Sequence, residues 1–234
     1  MTKLYELSDY YNRILPLYDN YGIDRTIHER WSITIDDFSI LAHQINRSRP
    51  SYILELGTFL GVSTFLFAQL IDDNQHIYSV DPNLLLRDEI EAVDGIQNVE
   101  IPNVKSHDVA RIIKDAYFNR KNIHFYEGCL DYDSAYSKVG GLVKHLPEFL
   151  IANIKFDFVF IDALHVADAV LSDLRAVEKI ISSDGAIFLH DGIGRWADQV
   201  LFGVCKFFEA CHNFELIRFK NGSIIKLQRK YERA

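Results

Sequence analysis

From residue 51 onward, short apolar runs rich in β-branched and aromatic residues alternate with longer amphipathic runs. The short runs have the near-continuous apolar character of strands buried on both faces: SYILELG (51–57), HIYSVD (76–81), IHFYEG (123–128), FDFVFID (156–162) and AIFLHD (186–191). The runs between them have helical spacing: STFLFAQLI, DVARIIKDAYF, SKVGGLVKHLPEFLIANI and HVADAVLSDLRAVEKII. This order predicts an α/β fold with a doubly wound, mostly parallel sheet.

The two ends of the chain depart from this alternation. Near the C-terminus a helical run is followed by FELIRF and SIIKLQ, with Asn221-Gly222 between them, which is a strong hairpin signal. Residues 1–50 hold two helical runs, and we expect them to form an N-terminal helical cap on a single domain at 51–234. The link over 82–122 is longer than a crossover needs, so we expect an insertion near the ligand-binding face.

Composition excludes several classes of protein. The chain has 234 residues of which 48% are hydrophobic, enough for one globular domain with a substantial core. Its net charge is −8 and it has no basic run, so we expect no nucleic-acid partner. No stretch approaches the roughly 18 apolar residues of a membrane helix, and the N-terminus is polar, so we expect a cytoplasmic protein without a membrane partner. The three cysteines lack CxxC spacing, so neither a disulfide framework nor a zinc site is indicated.

A glycine turn follows the first predicted strand, in the sequence ELGTFLGVST at 55–64. In open α/β sheets this place binds nucleotide-like ligands. Phe59 stands where a dinucleotide fold needs its second glycine, and no Gly-Lys-Ser/Thr follows, which argues against NAD, FAD and a P-loop. S-adenosylmethionine has no pyrophosphate and tolerates a looser turn, while Asp81, at the end of the next strand, can accept its ribose hydroxyls. The alternative is a turn that serves packing alone.

These residues resemble the class I S-adenosylmethionine-dependent methyltransferases over roughly 51–191 and the terminal hairpin. Within that class they resemble the metal-dependent small-molecule O-methyltransferases of the catechol and macrolide-sugar type. The resemblance implies a Rossmann-like, seven-stranded sheet. It also implies that Ser63 binds the methionine carboxylate and that Asp81 binds the ribose, while Cys129 borders the adenine where Asp or Ser is more usual. The full set of cofactor-binding residues that it implies is Glu55, Gly57, Thr58, Phe59, Gly61, Ser63, Asp81, Gly128, Cys129 and Asp162.

Two acids end the fourth and fifth predicted strands, Asp162 and Asp191. Neighbouring strands lie about 4.8 Å apart, and two carboxylates about 5 Å apart repel by about 3 kcal/mol at an effective dielectric of 20. A shared proton or a Mg²⁺ ion would offset this repulsion. The resembling family binds a divalent metal here, which makes Asp162, Asp191 and the flanking His190 the expected ligands. Because macrolide-sugar enzymes have Glu-Asp where this chain has His190-Asp191, Mn²⁺ and Fe²⁺ remain alternatives to Mg²⁺. A role of the two acids as ligand-contacting or capping groups without a metal also stays open.

His165 follows Asp162 by three residues, at the start of the next helical run. The resemblance implies that it is the catalytic base that removes the proton of the acceptor hydroxyl, beside Asp162. An imidazole with an unperturbed pKa near 6.5 suits that role at neutral pH. The alternative is a histidine that only occupies the first helical turn. The Asn-Pro-Pro-Tyr signature of adenine-N6 methyltransferases is absent after the fourth strand.

The acceptor remains unnamed at this stage. Candidate contacts come from a loop between the N-terminal helices, with His28, Arg30 and Trp31, and from Trp196 beyond Asp191. We predict O-methylation of a small-molecule hydroxyl on a sugar, polyketide or phenol. The alternatives are a different reaction on the same fold, as in cephalosporin hydroxylase, and a protein that binds the cofactor without turnover. N-terminal tyrosines make a homodimer an open prediction.

Overall fold

The structure, a computed structural model, describes residues 12, 14, 16–24, 27, 32–86, 101–118, 122–131 and 142–230. The helices are α1 (Ile35–Ser48), α2 (Val62–Ala68), α3 (Ser106–Ile113) with a π-helical turn (Lys114–Phe118), α4 (Leu146–Ile151), α5 (Ala167–Ile180) and α6 (Ala197–Ala210). The strands are β1 (Tyr52–Leu56), β2 (His76–Asp81), β3 (Ile123–Glu127), β4 (Phe156–Ile161), β5 (Ile181–Leu189), β6 (Phe214–Arg218) and β7 (Ile225–Arg229).

The strands form one seven-stranded sheet in the order β3-β2-β1-β4-β5-β7-β6. The first five strands pair in parallel, and β7 pairs antiparallel with both β5 and β6. The predicted doubly wound sheet with a C-terminal antiparallel hairpin is therefore confirmed. Strand order reverses between β1 and β4, and a crevice for ligands forms at such a reversal, beyond the carboxyl ends of the strands.

Three local predictions differ from the structure. The fifth strand begins at Ile181 rather than 186, because Ile181 pairs with Phe156 before a register shift to Ala186. In the described part of the helical run predicted over 137–154, which begins at residue 142, only α4 is helical, because Lys144 instead forms a parallel bridge with Cys129. The hairpin turn is longer than the Asn-Gly pair suggests, because the last paired residues are Arg218 and Ile225.

Hydrophobic layers cover both faces of the sheet. Side chains alternate along each strand, so Phe158 and Phe160 face one layer while Val159 and Ile161 face the other. The first layer comes from α1, α2 and α3, and the second from α4, α5 and α6. Stacked rings of Phe158 and Phe188, 4.4 Å apart, join β4 to β5 in the first layer.

The described part of the N-terminal segment packs into the first layer. Ile14, Tyr18 and Phe38 are buried in the same cluster as the sheet residues. The Tyr18 hydroxyl donates a hydrogen bond of 2.7 Å to the carbonyl oxygen of Leu60, in the glycine turn. The division into a cap at 1–50 and a domain at 51–234 stays a prediction. The candidate acceptor contacts His28, Arg30 and Trp31, and residues 87–100 of the predicted insertion, lie outside the described residues.

The cysteines are unpaired, as predicted from their spacing. Cys129 and Cys211 are buried and Cys205 is exposed. Burial raises the pKa of both the Cys129 and the Cys211 thiol to about 11, so these thiols stay neutral. Across the described ranges, every helix is too short or too polar to cross a bilayer.

Candidate functional site

The glycine turn between β1 and α2 is held by close backbone packing. Gly57, Phe59 and Gly61 all have left-handed backbones, with φ of 90°, 48° and 82°. A Cβ atom on Gly57 would collide with the carbonyl oxygen of Asp162, because the ends of β1 and β4 meet there. A Cβ on Gly61 would lie 2.9 Å from the Cβ of Ala110 on α3. Both glycines are therefore required by neighbouring protein atoms.

Asp81, at the end of β2, fastens this turn. One oxygen, Oδ2, accepts the backbone N–H groups of Thr58 and Phe59, each at 2.9 Å. The other, Oδ1, accepts the backbone N–H of Asn83 at 2.8 Å. Burial raises the pKa of Asp81, although the three backbone hydrogen bonds oppose that shift. A carboxylate has about four acceptor positions, so Oδ1 keeps one for a ligand hydroxyl.

Glu55 lies beneath the turn with no exposed surface. Its carboxyl group accepts hydrogen bonds from the hydroxyls of Ser63 and Ser79, both at 2.5 Å, and from Thr64. Burial raises the pKa of Glu55 to about 7, and the hydroxyl donors only partly oppose this. The structure therefore places Glu55 inside the support of the turn, in contact with Ser63 and its neighbours.

Gly128 and Cys129, after β3, adjoin the same end of the sheet. The backbone N–H of Gly128 donates to the carbonyl oxygen of Asp81 at 2.8 Å. Gly128 has a φ of 147°, and a Cβ there would strike the carbonyl oxygen of Val143. The backbone of Cys129 pairs with the same segment, which closes this side of the crevice.

Four titratable side chains meet at the carboxyl ends of β4 and β5. The Asp162 Oδ1 atom lies 3.1 Å from both His165 Nε2 and His190 Nδ1. The Asp191 Oδ2 atom lies 3.3 Å from His165 Nε2 and 3.5 Å from His190 Nδ1. One ligand atom from each of the four residues falls within 4.8 Å of the others. We call Asp162, His165, His190 and Asp191 the acidic centre.

The fold accounts for this convergence. The backbone N–H of Asp162 donates to the Leu56 carbonyl and that of His190 to the Ile161 carbonyl, so both residues continue the parallel pairing just past their strands. Asp191 then turns with a φ of 55°, and the hairpin residue Ser223 holds the following Gly192 through its carbonyl oxygen. His165 lies in the loop before α5, which begins at Ala167 and not at His165 as the sequence pattern suggests.

The two imidazoles offset the repulsion between the two carboxylates. Burial would lower the pKa of His190, but the charge of Asp162 and hydrogen bonds to Asp162, Asp191 and Asp37 raise it well above 6.5. Burial would also lower the pKa of His165, but the hydrogen bond to Asp162 outweighs this effect, so the pKa of His165 is raised as well. Burial would raise the pKa of Asp162, but both histidines hold it well below its usual range. His165 is thus less readily deprotonated than an unperturbed imidazole.

Asp37 is part of this site, although sequence reasoning missed it. It lies in the first turn of α1, is 1% exposed, and its Oδ2 lies 3.4 Å from His190 Nε2. Its only sequence signal is the spacing from Thr34, the helix N-cap, whose hydroxyl is 2.6 Å from Oδ2. That spacing is typical of helix capping and carries no sign of a contact with His190.

The mouth of the centre is apolar. Trp196 is half-buried and its ring stacks on His165 with centroids 6.4 Å apart and an interplanar angle of 20°. The Arg195 guanidinium lies 5.0 Å from the centroid of the Trp196 ring. Leu164, Val166 and Ile193, beside the acidic centre in the chain, are exposed large hydrophobic residues. Apolar side chains left exposed around a polar centre are typical of a ligand-binding rim.

Residues 54–192, more than half of the chain, match a family model described as a methyltransferase domain. No curated protein matches the sequence.

Solved structures share the fold at low sequence identity. An O-methyltransferase from Bacillus cereus in complex with SAH is 14% identical, with a TM-score of 0.62 over 94% of this chain and 91% of that one. The O-methyltransferase TomG from Streptomyces achromogenes, involved in tomaymycin synthesis and solved with SAM, is 13% identical, with a TM-score of 0.59 over 94% and 88%. A methyltransferase from Geobacter sulfurreducens is 12% identical, with a TM-score of 0.53 over 95% and 90%. The sheet order, the glycine turn and the matched family model agree, and the chain belongs to the methyltransferase domain family.

Proposed function

We propose that this protein is a class I S-adenosylmethionine-dependent O-methyltransferase that acts on a hydroxyl group of a small molecule. The observation that carries the proposal is the meeting, at the reversal of strand order, of a glycine turn fastened by Asp81 with the acidic centre. Structural neighbours solved with SAM or SAH support the cofactor, and their description as O-methyltransferases supports the acceptor chemistry.

The proposed cofactor site uses the groups around the glycine turn. When bound, S-adenosylmethionine supplies an electrophilic methyl group. The remaining acceptor position on Asp81 suits a ribose hydroxyl, and the Asn83 Oδ1 atom, buried without a partner among the described residues, can accept a further N–H or O–H. The turn at Gly57, Thr58, Phe59 and Gly61, with Ser63, would hold the methionine end. Gly128 and Cys129 would border the adenine, and Asp162 would adjoin the sulfonium.

The acidic centre fits a divalent metal. It offers two carboxylates and two imidazoles whose ligand atoms lie within 4.8 Å of one another. We propose Asp162, His190 and Asp191 as the ligands. A bound metal would supply positive charge beside the acceptor hydroxyl, which lowers the cost of removing its proton. Imidazole ligands suit Mn²⁺ or Fe²⁺ better than Mg²⁺.

His165 is the proposed general base. It lies at the apolar mouth, where its ring stacks on Trp196, and its Nε2 faces Asp162 and Asp191 at 3.1 and 3.3 Å. The same carboxylates that raise its pKa stabilise the imidazolium that forms when it takes the acceptor's proton. Because methyl transfer to oxygen is a single displacement, the other residues need only orient the acceptor and exclude water.

Calorimetric titration tests the proposal. Protein stripped with EDTA is titrated with S-adenosylhomocysteine, alone and with Mg²⁺ or Mn²⁺ added, with NAD as the control ligand. We expect micromolar binding of S-adenosylhomocysteine, no binding of NAD, and at least a 100-fold loss of affinity in Asp81→Ala. Asp73→Ala removes an exposed carboxylate after α2 and should bind as the parent does. Absence of S-adenosylhomocysteine binding under every metal condition would contradict the proposal.

A second candidate is iron-dependent oxidation on the same scaffold. Two histidines and a carboxylate, as in His165, His190 and Asp162, are the ligand set of non-haem Fe²⁺ oxygenases. Oxygen consumption with Fe²⁺ and no transfer of radioactive methyl to any acceptor would favour this candidate over the methyltransferase.

A further inference from the structure

The Asp37 carboxylate is surrounded by donors from three separate parts of the chain. Its Oδ1 accepts the backbone N–H of Ser223 at 2.5 Å and the Ser223 hydroxyl at 3.2 Å. Its Oδ2 accepts the Thr34 hydroxyl at 2.6 Å and lies 3.4 Å from His190 Nε2. Gly222 allows this approach, because a Cβ there would lie 2.6 Å from Asp37 Oδ1. The first turn of α1, the hairpin turn and the acidic centre therefore converge on one buried side chain.

An amide cannot replace this carboxylate without loss. The NH₂ group of an asparagine would face the backbone N–H of Ser223 in one amide orientation and the Nε2–H of His190 in the other. A buried donor that faces another donor loses its hydrogen bond and is costly. Asparagine therefore keeps the shape of Asp37 but offers one acceptor oxygen where the carboxylate offers two.

Both ring nitrogens of His190 contact carboxylate groups. Nε2 faces Asp37, while Nδ1 lies 3.1 Å from Asp162 Oδ1 and 3.5 Å from Asp191 Oδ2. The His190 ring also packs against Phe160 in a T-shaped arrangement, with ring centroids 6.4 Å apart and an interplanar angle of 68°. Of these contacts, only the one to Asp37 occupies Nε2 among the described residues. A half-turn of the ring would place carbon atoms opposite both Asp37 and Asp162, so the contacts at the two nitrogens together fix the observed orientation.

We propose that Asp37 is a positioning residue, which accepts the Nε2–H of His190 and thereby keeps Nδ1 directed at Asp162 and Asp191. Histidines that bind metals commonly hold their other N–H on a carboxylate in this way, which fixes the ring and its tautomer. The inference rests on the proposed function only in giving His190 a role at the acidic centre. The ring orientation itself is a property of the protein alone.

The experiment compares Asp37→Asn with two matched variants. Asp36→Asn changes the neighbouring exposed acid of the same helical turn. Thr34→Val removes the helix cap and the hydroxyl bonded to Asp37 Oδ2 but leaves both carboxylate oxygens of Asp37 in place. The first readout is the side-chain N–H signal of His190 in metal-free, ¹⁵N-histidine-labelled protein, assigned by its loss in His190→Gln. The second is the affinity for Mn²⁺, measured by calorimetry without S-adenosylmethionine.

In the parent protein we expect a protected Nε2–H signal of His190. In Asp37→Asn its hydrogen exchange should be at least tenfold faster and Mn²⁺ affinity should fall roughly 10- to 100-fold. Asp36→Asn should keep the parent's signal and affinity. Thr34→Val, which keeps the carboxylate, should change both clearly less than Asp37→Asn does, even where it lowers the stability of the protein.

Three results would overturn the inference. They are an unprotected Nε2–H in the parent protein, an unchanged signal in Asp37→Asn, or equal changes in Thr34→Val and Asp37→Asn. The first of these needs no variant, so it decides the matter even where Asp37→Asn fails to fold. A parent protein that shows the protected signal yet binds no Mn²⁺ would contradict the proposed metal while supporting the role of Asp37 in orienting the ring.

Discussion

At the scale of the residue, two buried carboxyl groups of this protein show opposite electrostatics. Burial alone would raise the pKa of both Glu55 and Asp162. Glu55 is surrounded by neutral hydroxyls, which do not outweigh burial, whereas Asp162 contacts two imidazoles, which do. The same chemical group therefore supports the glycine turn as a carboxyl group that protonates near neutral pH and the acidic centre as a carboxylate that stays ionised.

Glu55→Gln should change how stability depends on pH. The pKa of Glu55 is about 7 in the folded protein, against 4.5 for an ordinary glutamate side chain. Between these values the folded state binds more protons than the unfolded state, so stability falls as pH rises from about 4.5 to 7 and then levels off. The shift corresponds to on the order of 3 kcal/mol. Glutamine does not titrate. The free energy of unfolding of Glu55→Gln, relative to that of the parent, should therefore rise by about that amount between pH 4.5 and 8.

Urea unfolding followed by circular dichroism at several pH values measures this difference. Glu209→Gln, which removes an exposed carboxylate of α6, is the matched control and should follow the parent's pH dependence. A constant difference between Glu55→Gln and the parent across the window would show that Glu55 is ionised in the folded protein.

His165→Ala should separate binding from turnover. We expect a fall in turnover of at least about 100-fold, the usual contribution of a general base, with S-adenosylhomocysteine affinity within about twofold of the parent. The measurement is transfer of radioactive methyl to a hydroxyl acceptor, beside calorimetry with S-adenosylhomocysteine. His212→Ala, at an exposed position after α6, should retain parental activity. Near-parental turnover of His165→Ala would remove His165 from the mechanism.

At the scale of the element, the turn between β1 and α2 is shaped by what lies behind it. Gly57 abuts the carbonyl oxygen of Asp162, so the cofactor turn and the acidic centre are in backbone contact. Asp81 then fixes the turn from β2 through two backbone N–H groups. The proposed cofactor and metal sites therefore share one rigid support.

Gly57→Ala should be far more destabilising than Gly22→Ala. Both glycines have positive φ, 90° and 67°, but a Cβ on Gly22 meets nothing within 4 Å. Gly22→Ala therefore reports backbone strain alone, about 1 to 2 kcal/mol. Gly57→Ala adds a collision with Asp162 and should cost at least about 3 kcal/mol. Guanidinium unfolding of both variants tests this, and equal losses of stability would mean that β1 and β4 can separate at no cost.

At the scale of the whole molecule, the N-terminal segment and the sheet form one hydrophobic layer. Phe38 and Leu41 of α1 lie in the same buried cluster as Phe158 and Phe188 of the sheet. Asp37 adds a polar link from α1 to His190 and to Ser223. The segment thus contributes to the site as well as to the core.

We therefore expect α1 to unfold together with the sheet. Native-state hydrogen exchange should give amides of α1 and of β1 the same free energy of opening, because α1 cannot leave without exposing the shared layer. Amides of the exposed residues Asp73 and Asn74, in the turn after α2, should open at lower free energy and serve as the internal reference. Opening of α1 at a free energy well below that of β1 would show that the N-terminal segment is an independent cap.

The order of the elements, the parallel sheet with its terminal hairpin, and the strand ends that carry Asp81, Asp162 and Asp191 could all be predicted from the amino-acid sequence. These follow from local periodicity and from the rules of parallel-sheet topology, which bring strand ends to one edge.

The contacts between side chains could not be predicted in this way, because they join segments that are far apart in the chain. His190 and Asp37 are 153 positions apart, and the carboxyl group of Glu55 is buried beneath Ser63, Thr64 and Ser79. The shortened α4 and the stacking of Trp196 on His165 likewise depend on neighbours distant in the chain. Local patterns record which faces are apolar, whereas hydrogen bonds and ring contacts between distant segments depend on how those faces pack.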